Sequence, residues 1–178
     1  MIVEAIKEFD DSFQNTDSGP EDCDEEQRQL TNQLRRYDSE EYLSRLIPNL
    51  QRSVQLDEFW PEETKTQLLQ DLYISSNPFD VGDKHLLDNP GDGSRYSEVH
   101  ELYHPIIRNF LETFGYYDIF LANADGDIVY TVFKEVDYGT SLLDGPYSNT
   151  NFAEAFRSAL DAGKDEFVYL QKAPSWPI

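Results

Sequence analysis

Cysteine is nearly missing from this chain of 178 residues: Cys23 stands alone. That excludes an internal disulfide and a thiolate metal site. Basic residues are scarce too, 14 Lys and Arg against 35 Asp and Glu, for a formal net charge of -21. Such a field repels nucleic acid and anionic membrane surfaces, whose recognition needs clustered Lys and Arg. Neither is an expected partner. No apolar run approaches the ~18 residues of a membrane helix. The opening MIVEAIKEFDDSF lacks the basic-then-apolar layout of an export signal. G-x-S-x-G, the P-loop and the dinucleotide fingerprint are absent as well, and no cofactor is expected. A cysteine nucleophile would have to be Cys23, inside the acidic QNTDSGPEDCDEE, where negative neighbours push a thiol the wrong way for reactivity.

What the chain does have is aromatic bulk, 11 Tyr and 11 Phe, enough to build a core in a polar background. Ile2, Val3, Ile6, Phe9 and Phe13 recur at helical spacing. After the acidic stretch, read as a linker, Leu30, Leu34, Tyr37, Tyr42, Leu46 and Leu50 do so again, with Pro48 ending or kinking the run. A third helix is expected to start at Pro61, with Leu68, Leu69, Leu72 and Tyr73 on its apolar face. A long loop follows, SSNPFDVGDKHLLDNPGDGS, and then a helix over Ser97 to Phe114 that ends at Gly115.

Beyond Gly115 the period changes. Two aromatic and β-branched runs flank Asn123-Ala-Asp-Gly-Asp127, a hairpin signal. Phe152 to Ala162 reads as a helix and Phe167 to Leu170 as a further strand. Helices followed by an antiparallel sheet make the fold class α+β, with a helical region over 1–75 and a second region over 76–178.

Two constellations carry metal chemistry on paper. His100-Glu101-Leu102-Tyr103-His104 spells H-E-x-x-H, which on a helix places two imidazoles on one face for zinc. Pro105 follows directly and disfavours helical geometry at His104, and no third histidine follows. Packed or hydrogen-bonded histidines are the expected reading. Asn123, Asp125 and Asp127 gather oxygens as a calcium loop does, without the closing glutamate, so a plain turn is expected there. Neither metal is expected.

Strand alternation places Asp118 with Tyr116 and Phe120, and Tyr130 and Lys134 with Ile128 and Val132. Such mixed faces suit a small-ligand pocket, the alternative being an aromatic core with solvated edge charges. The candidate contacts are Asp118, Tyr130, Lys134, Asp137 and Tyr138, with Lys134 pairing a ligand carboxylate and the tyrosines stacking or donating.

The stretch Tyr96 to Asn151, with FGYYDIFL, GDIVYTVFKEVDYGTSL and GPY, resembles the extracytoplasmic Cache-type, PAS-like sensor domains of bacterial transmembrane receptors. These include chemotaxis receptors, sensor kinases, phosphatases and adenylate or guanylate cyclases. The segment LQRSVQLDEFWPEETKTQLLQDLYISSNPFDVGDKHLLD and the opening MIVEAIKEF are similar to that region as well. The resemblance implies long N-terminal helices, a PAS/Cache-like sheet, and sensing of an extracellular solute such as an amino acid or organic acid. It places the region at the periplasmic face of the inner membrane, with a homodimer through the long helices and catalysis left to an output domain. It also implies more strands after Leu170, where this sequence has QKAPSWPI, and so an open sheet edge. The alternative role is a dimerisation module that binds no ligand.

Overall fold

A computed structural model of the chain describes residues 2–16, 24–46 and 55–162. Cys23, Pro48, Leu50 and the strand expected over Phe167 to Leu170 lie outside these residues. Helix α1 (Ile2–Gln14) and helix α2 (Asp24–Tyr37) have 13 and 14 residues, ordinary lengths rather than long ones. Along α1, Ala5, Phe9 and Phe13 are buried, while Val3, expected on the same face, is exposed. From α2 the chain widens into a π-helical turn (Asp38–Tyr42) and closes with α3 (Leu43–Leu46).

Helix α4 runs Thr64–Gln70 and continues as a second π-helical turn, Asp71–Ser75. It starts three residues later than Pro61 suggests. Glu63 takes the N-cap in an extended conformation, and Gln67 Nε2 donates to the Pro61 carbonyl at 2.9 Å. Helix α5 (Arg95–Phe114) is capped at one end by Ser94, which accepts from Ser97 N. At the other end Gly115 adopts φ 67°, a left-handed conformation that glycine takes without a Cβ penalty. Contrary to the expectation at His104, α5 passes through Pro105 unbroken. Bonds from His100, His104 and Arg108 hold the turns on both sides of the proline, and they outweigh the missing N–H.

Strands β1 (Phe120–Ala122) and β2 (Ile128–Thr131) pair antiparallel, Phe120 with Thr131 and Leu121 with Tyr130, with an irregularity after Leu121. Asn123 organises the turn: its Oδ1 accepts from Asp125 N and Asp127 N, an Asx arrangement. The other edge of β2 is covered by the segment 139–142, through Ile128 N to the Thr140 carbonyl and Gly139 N to the Ile128 carbonyl. Every residue of β2 is therefore buried. Helix α6 (Asn151–Ala162) adds a smaller cluster in which Ala153 packs with Ile128 and Leu142. The main core joins Phe9, Leu69, Tyr73, Tyr96, Val99 and Tyr130, and the Phe9 and Tyr130 ring centres are 4.5 Å apart. Six α-helices and a two-stranded antiparallel sheet among the described residues make an α+β fold.

Candidate functional site

The strand pattern that carries Lys134 to the face of Tyr130 stops at Thr131. Lys134 then adopts φ 58°, the left-handed region that non-glycine residues seldom enter. This turn drives its side chain inward, to 3 % exposure. The ammonium lies 4.3 Å from the centre of the Tyr130 ring, 5.3 Å from Tyr138 and 5.7 Å from Tyr73. It also donates to the Thr131 carbonyl. Aromatic faces attract a cation electrostatically, so three rings take over part of what water would supply. Burial still pushes the Lys134 pKa down, and the nearby Asp118 carboxylate acts in the opposite sense.

Asp118 works as a clasp on the end of the hairpin. Its Oδ1 accepts from Ile119 N at 2.6 Å and Val132 N at 3.0 Å, and its Oδ2 from Thr131 Oγ1 at 2.5 Å. Burial raises its pKa against the pull of these donors. Tyr130 donates its hydroxyl to His104 Nδ1 at 2.7 Å, whereas the fully buried Tyr138 hydroxyl has the Tyr96 hydroxyl as its neighbour. Three of the five expected contacts, Tyr130, Lys134 and Tyr138, thus meet inside the core, and half-buried Asp118 acts on the ammonium electrostatically. Tyr73 and His104 complete the group. Sequence reasoning placed Tyr73 among the apolar residues of a helix face and His104 in a weak zinc motif.

The two histidines of H-E-x-x-H fasten a loop. His104 Nε2 donates to the His85 carbonyl at 2.6 Å while Nδ1 accepts from Tyr130, which defines a neutral imidazole with its proton on Nε2. His100 Nδ1 donates to the Asp88 carbonyl at 2.7 Å, leaving a buried Nε2 without a partner. The rings stack at 4.2 Å. Burial lowers both pKa values, His104 to about 2. Arg108 adds bonds to the His85 carbonyl and to Asp88 Oδ1, at 2.7 and 2.9 Å. Asn77 and Lys84 clasp the same segment from within: Asn77 Nδ2 donates to the Lys84 carbonyl and Lys84 Nζ to the Asn77 carbonyl. The loop over 76–94 is therefore tied to α5 at several points. Among the described residues, no three His, Cys, Asp or Glu side chains converge as metal ligands.

Asp137, the fifth expected contact, belongs to a different group. It is 4 % exposed, and its Oδ1 has no hydrogen-bond partner. Asp38, on the π-helical turn after α2, is in the same condition. Burial raises Asp137 to about 8 and Asp38 to about 7, with Arg35 lowering the latter in part. Both carboxyls lie close enough to Tyr42 and Tyr147 to perturb them electrostatically. The Tyr147 hydroxyl is also buried, with the Tyr42 hydroxyl as its neighbour. The Phe59 ring joins the two tyrosines, 6.0 Å from Tyr42 and 6.2 Å from Tyr147. One signal for Asp38 was present in the sequence: at four residues from both Leu34 and Tyr42 it falls on the apolar stripe.

Two surface grooves lie elsewhere among the described residues. One, of about 810 Å³, runs between α2 and the segment 75–84, with Arg36, Tyr37 and Lys84 on its walls. The other, of about 360 Å³, runs between 57–66 and 139–146 and is acidic, with Asp57, Glu58, Glu62, Glu63, Asp127 and Asp144. None of the five expected contacts lines either groove. Comparison of the chain with protein-family models, curated proteins and solved structures finds no match.

Proposed function

We propose that this chain is a small-solute sensing module rather than an enzyme, the extracytoplasmic Cache-like region of a bacterial membrane receptor held outside the inner membrane. One observation carries the reading. The interior around β2 is polar and incompletely satisfied: a buried ammonium sits in a cage of three tyrosines, near the unpartnered His100 Nε2. Buried polar atoms without partners are uncommon and cost stability, and they concentrate where a ligand supplies what the protein omits. A solute acts as a signal only through different affinity for two arrangements of the protein. The loop over 76–94, anchored on α5 through His100, His104 and Arg108, is the element such a solute would bias. The candidate contacts remain Asp118, Tyr130, Lys134, Asp137 and Tyr138. The test is thermal melting of the purified chain against amino acids, organic acids, amines and nucleosides. A ligand that binds only the folded form raises the midpoint. A rise confined to one chemical class supports sensing, and a cooperative melt with no rise for any class refutes it.

A second reading, an association module without a ligand, draws on α5. Leu102, Ile106, Phe110 and Phe114 follow one another at four-residue steps and are 43 to 62 % exposed. Phe110, Phe114 and Tyr116 cluster at ring distances of 4.6 to 6.2 Å. Apolar stripes of this kind mark association surfaces. Concentration-dependent sedimentation that Phe114→Glu abolishes would favour this reading.

A further inference from the structure

The chain contains three histidines, and all three meet at one place. His100 and His104, one turn apart on α5, stack at 4.2 Å, and each gives a ring N–H to a carbonyl of the loop over 76–94. The acceptors are the carbonyls of Asp88 and His85. The His85 ring itself lies 4.7 Å from that of Phe133, beside Lys134. This geometry suits neutral rings. With its proton on Nε2, His104 accepts the Tyr130 hydroxyl at Nδ1. A second proton on Nδ1 would leave the hydrogen of that hydroxyl without an acceptor. His100 Nε2 is buried with no partner, so a proton there would be an N–H with nothing to bond. The charges acting on both rings, Lys134 and Arg108, are positive. The phenols Tyr73, Tyr130 and Tyr96 face His100 at ring distances of 4.6, 5.7 and 6.3 Å, and burial keeps them protonated. Asp88, the carboxyl on the loop at this point, is held by Arg108 at 2.9 Å. Charging either imidazole inside this cluster is therefore far harder than charging it in water.

We infer that His100 and His104 form an acid-release latch: their protonation frees the segment 85–88 from α5 while the remainder of the fold stays closed. The inference does not rest on the solute reading, since protons alone operate the latch. Both rings are neutral while the loop is closed and take up protons once it opens and water reaches them. Opening therefore binds protons, and falling pH favours it. The latch holds above about pH 6.5, the ordinary histidine value, and weakens below it. Between about pH 8 and pH 5 each histidine raises the opening constant about 30-fold, and the two together about a thousandfold. Arg108, charged throughout this range, still bonds the His85 carbonyl and Asp88 and sets the baseline. The mutual clasp of Asn77 and Lys84 keeps the first half of the loop closed on itself. Elsewhere Asp38 and Asp137 favour the fold as neutral acids, so over the same range they oppose global unfolding and leave the response local. Release removes the acceptor of the Tyr130 hydroxyl and the His85 ring from Phe133, and so opens the side of the Lys134 cage.

The experiment is amide hydrogen exchange of the full chain at about pH 8, 6.5 and 5, each rate divided by the intrinsic rate at that pH. The expected result is a fall in protection over 76–94 of about a hundredfold or more from pH 8 to pH 5, with α6 changing less than about tenfold. His100→Asn combined with His104→Gln puts amides in place of both rings. These keep the donors to the loop and do not titrate, so the pH dependence of the loop vanishes in the double variant. Nitrogen NMR of the unaltered protein reads the rings without any substitution. At about pH 6 it should show both neutral, His104 protonated on Nε2 and His100 on Nδ1. Equal loop protection at pH 8 and pH 5 overturns the inference, as does an undiminished pH dependence in a folded double variant. Loss of protection in α6 in step with the loop also overturns it, being global unfolding. So does an imidazolium signal from either ring at about pH 6 while the loop stays protected.

Discussion

Tyr130 stands between a cation and an imidazole: its ring centre lies 4.3 Å from Lys134 Nζ, and its hydroxyl donates to His104 Nδ1 at 2.7 Å. One side chain of the central strand therefore links the left-handed turn at Lys134 to the helix carrying H-E-x-x-H, and through His104 to the loop at His85.

His104→Phe keeps the aromatic volume and removes both bonds. The buried Tyr130 hydroxyl then lacks its acceptor. A loss of about 2–4 kcal/mol is expected, read from urea denaturation. Amide exchange over 76–94 should quicken more than in α6. Protection of that loop equal to the wild type would show that Arg108 and His100 suffice to hold it.

Asp137 has its pKa raised from 3.8 to about 8 and Asp38 to about 7, so each favours the fold as the neutral acid. Their share of stability is full below about pH 4 and is lost as pH rises toward 8. His104 acts in the opposite sense: held at about 2 against an ordinary 6.5, its share is lost as pH falls below that ordinary value. Asp137→Asn removes one titration and leaves the others. Its stability advantage over the wild type should grow between about pH 5 and pH 8. A difference that stays flat across that range would place the Asp137 carboxyl in contact with water.

For Lys134, burial holds the amine below its ordinary 10.5. Its share of stability is present above that value and lost as pH falls through the folded-state value. Lys134→Met fills similar space without the charge. The variant should be at least as stable as the wild type at neutral pH and should lack the rise in stability on going from neutral to alkaline pH. Urea midpoints at several pH values decide the matter, and an unchanged alkaline rise would contradict this account.

Gly126 has φ 93° in the hairpin turn, and a Cβ there would meet Leu143 Cγ at 2.7 Å. Gly126→Ala combines backbone strain with displacement of that side chain. A loss of about 1–3 kcal/mol in thermal or chemical melts is expected. A neutral result would mean that the segment 139–143 yields without cost.

Much of the local structure was legible. The Asp-Gly turn between two aromatic runs became the β1–β2 hairpin, and Gly115 closed α5 as a left-handed cap. Helical periodicity located α1, α2, α5 and α6 to within a few residues. Pro61 misled because proline suits a first helical turn but does not compel one, and the helix waited until Thr64. Pro105 misled in the other direction. The gathering of Tyr130, Lys134 and Tyr138 was visible as a list of residues but not as a buried cage, because alternation fails once the strand ends and Lys134 turns left-handed.

Composition and spacing, read along the chain, were sufficient to remove an internal disulfide from consideration and to mark helices and a hairpin. Those are properties of residue counts and of neighbours within a turn or two. The tertiary structure alone decided that Lys134 and Asp137 lie inside rather than at a solvated edge, that His100 and His104 secure a loop, and that Asp38 is buried and acts electrostatically on Tyr42 and Tyr147. Burial and partnership join residues roughly 100 positions apart, and periodicity has no reach over that distance.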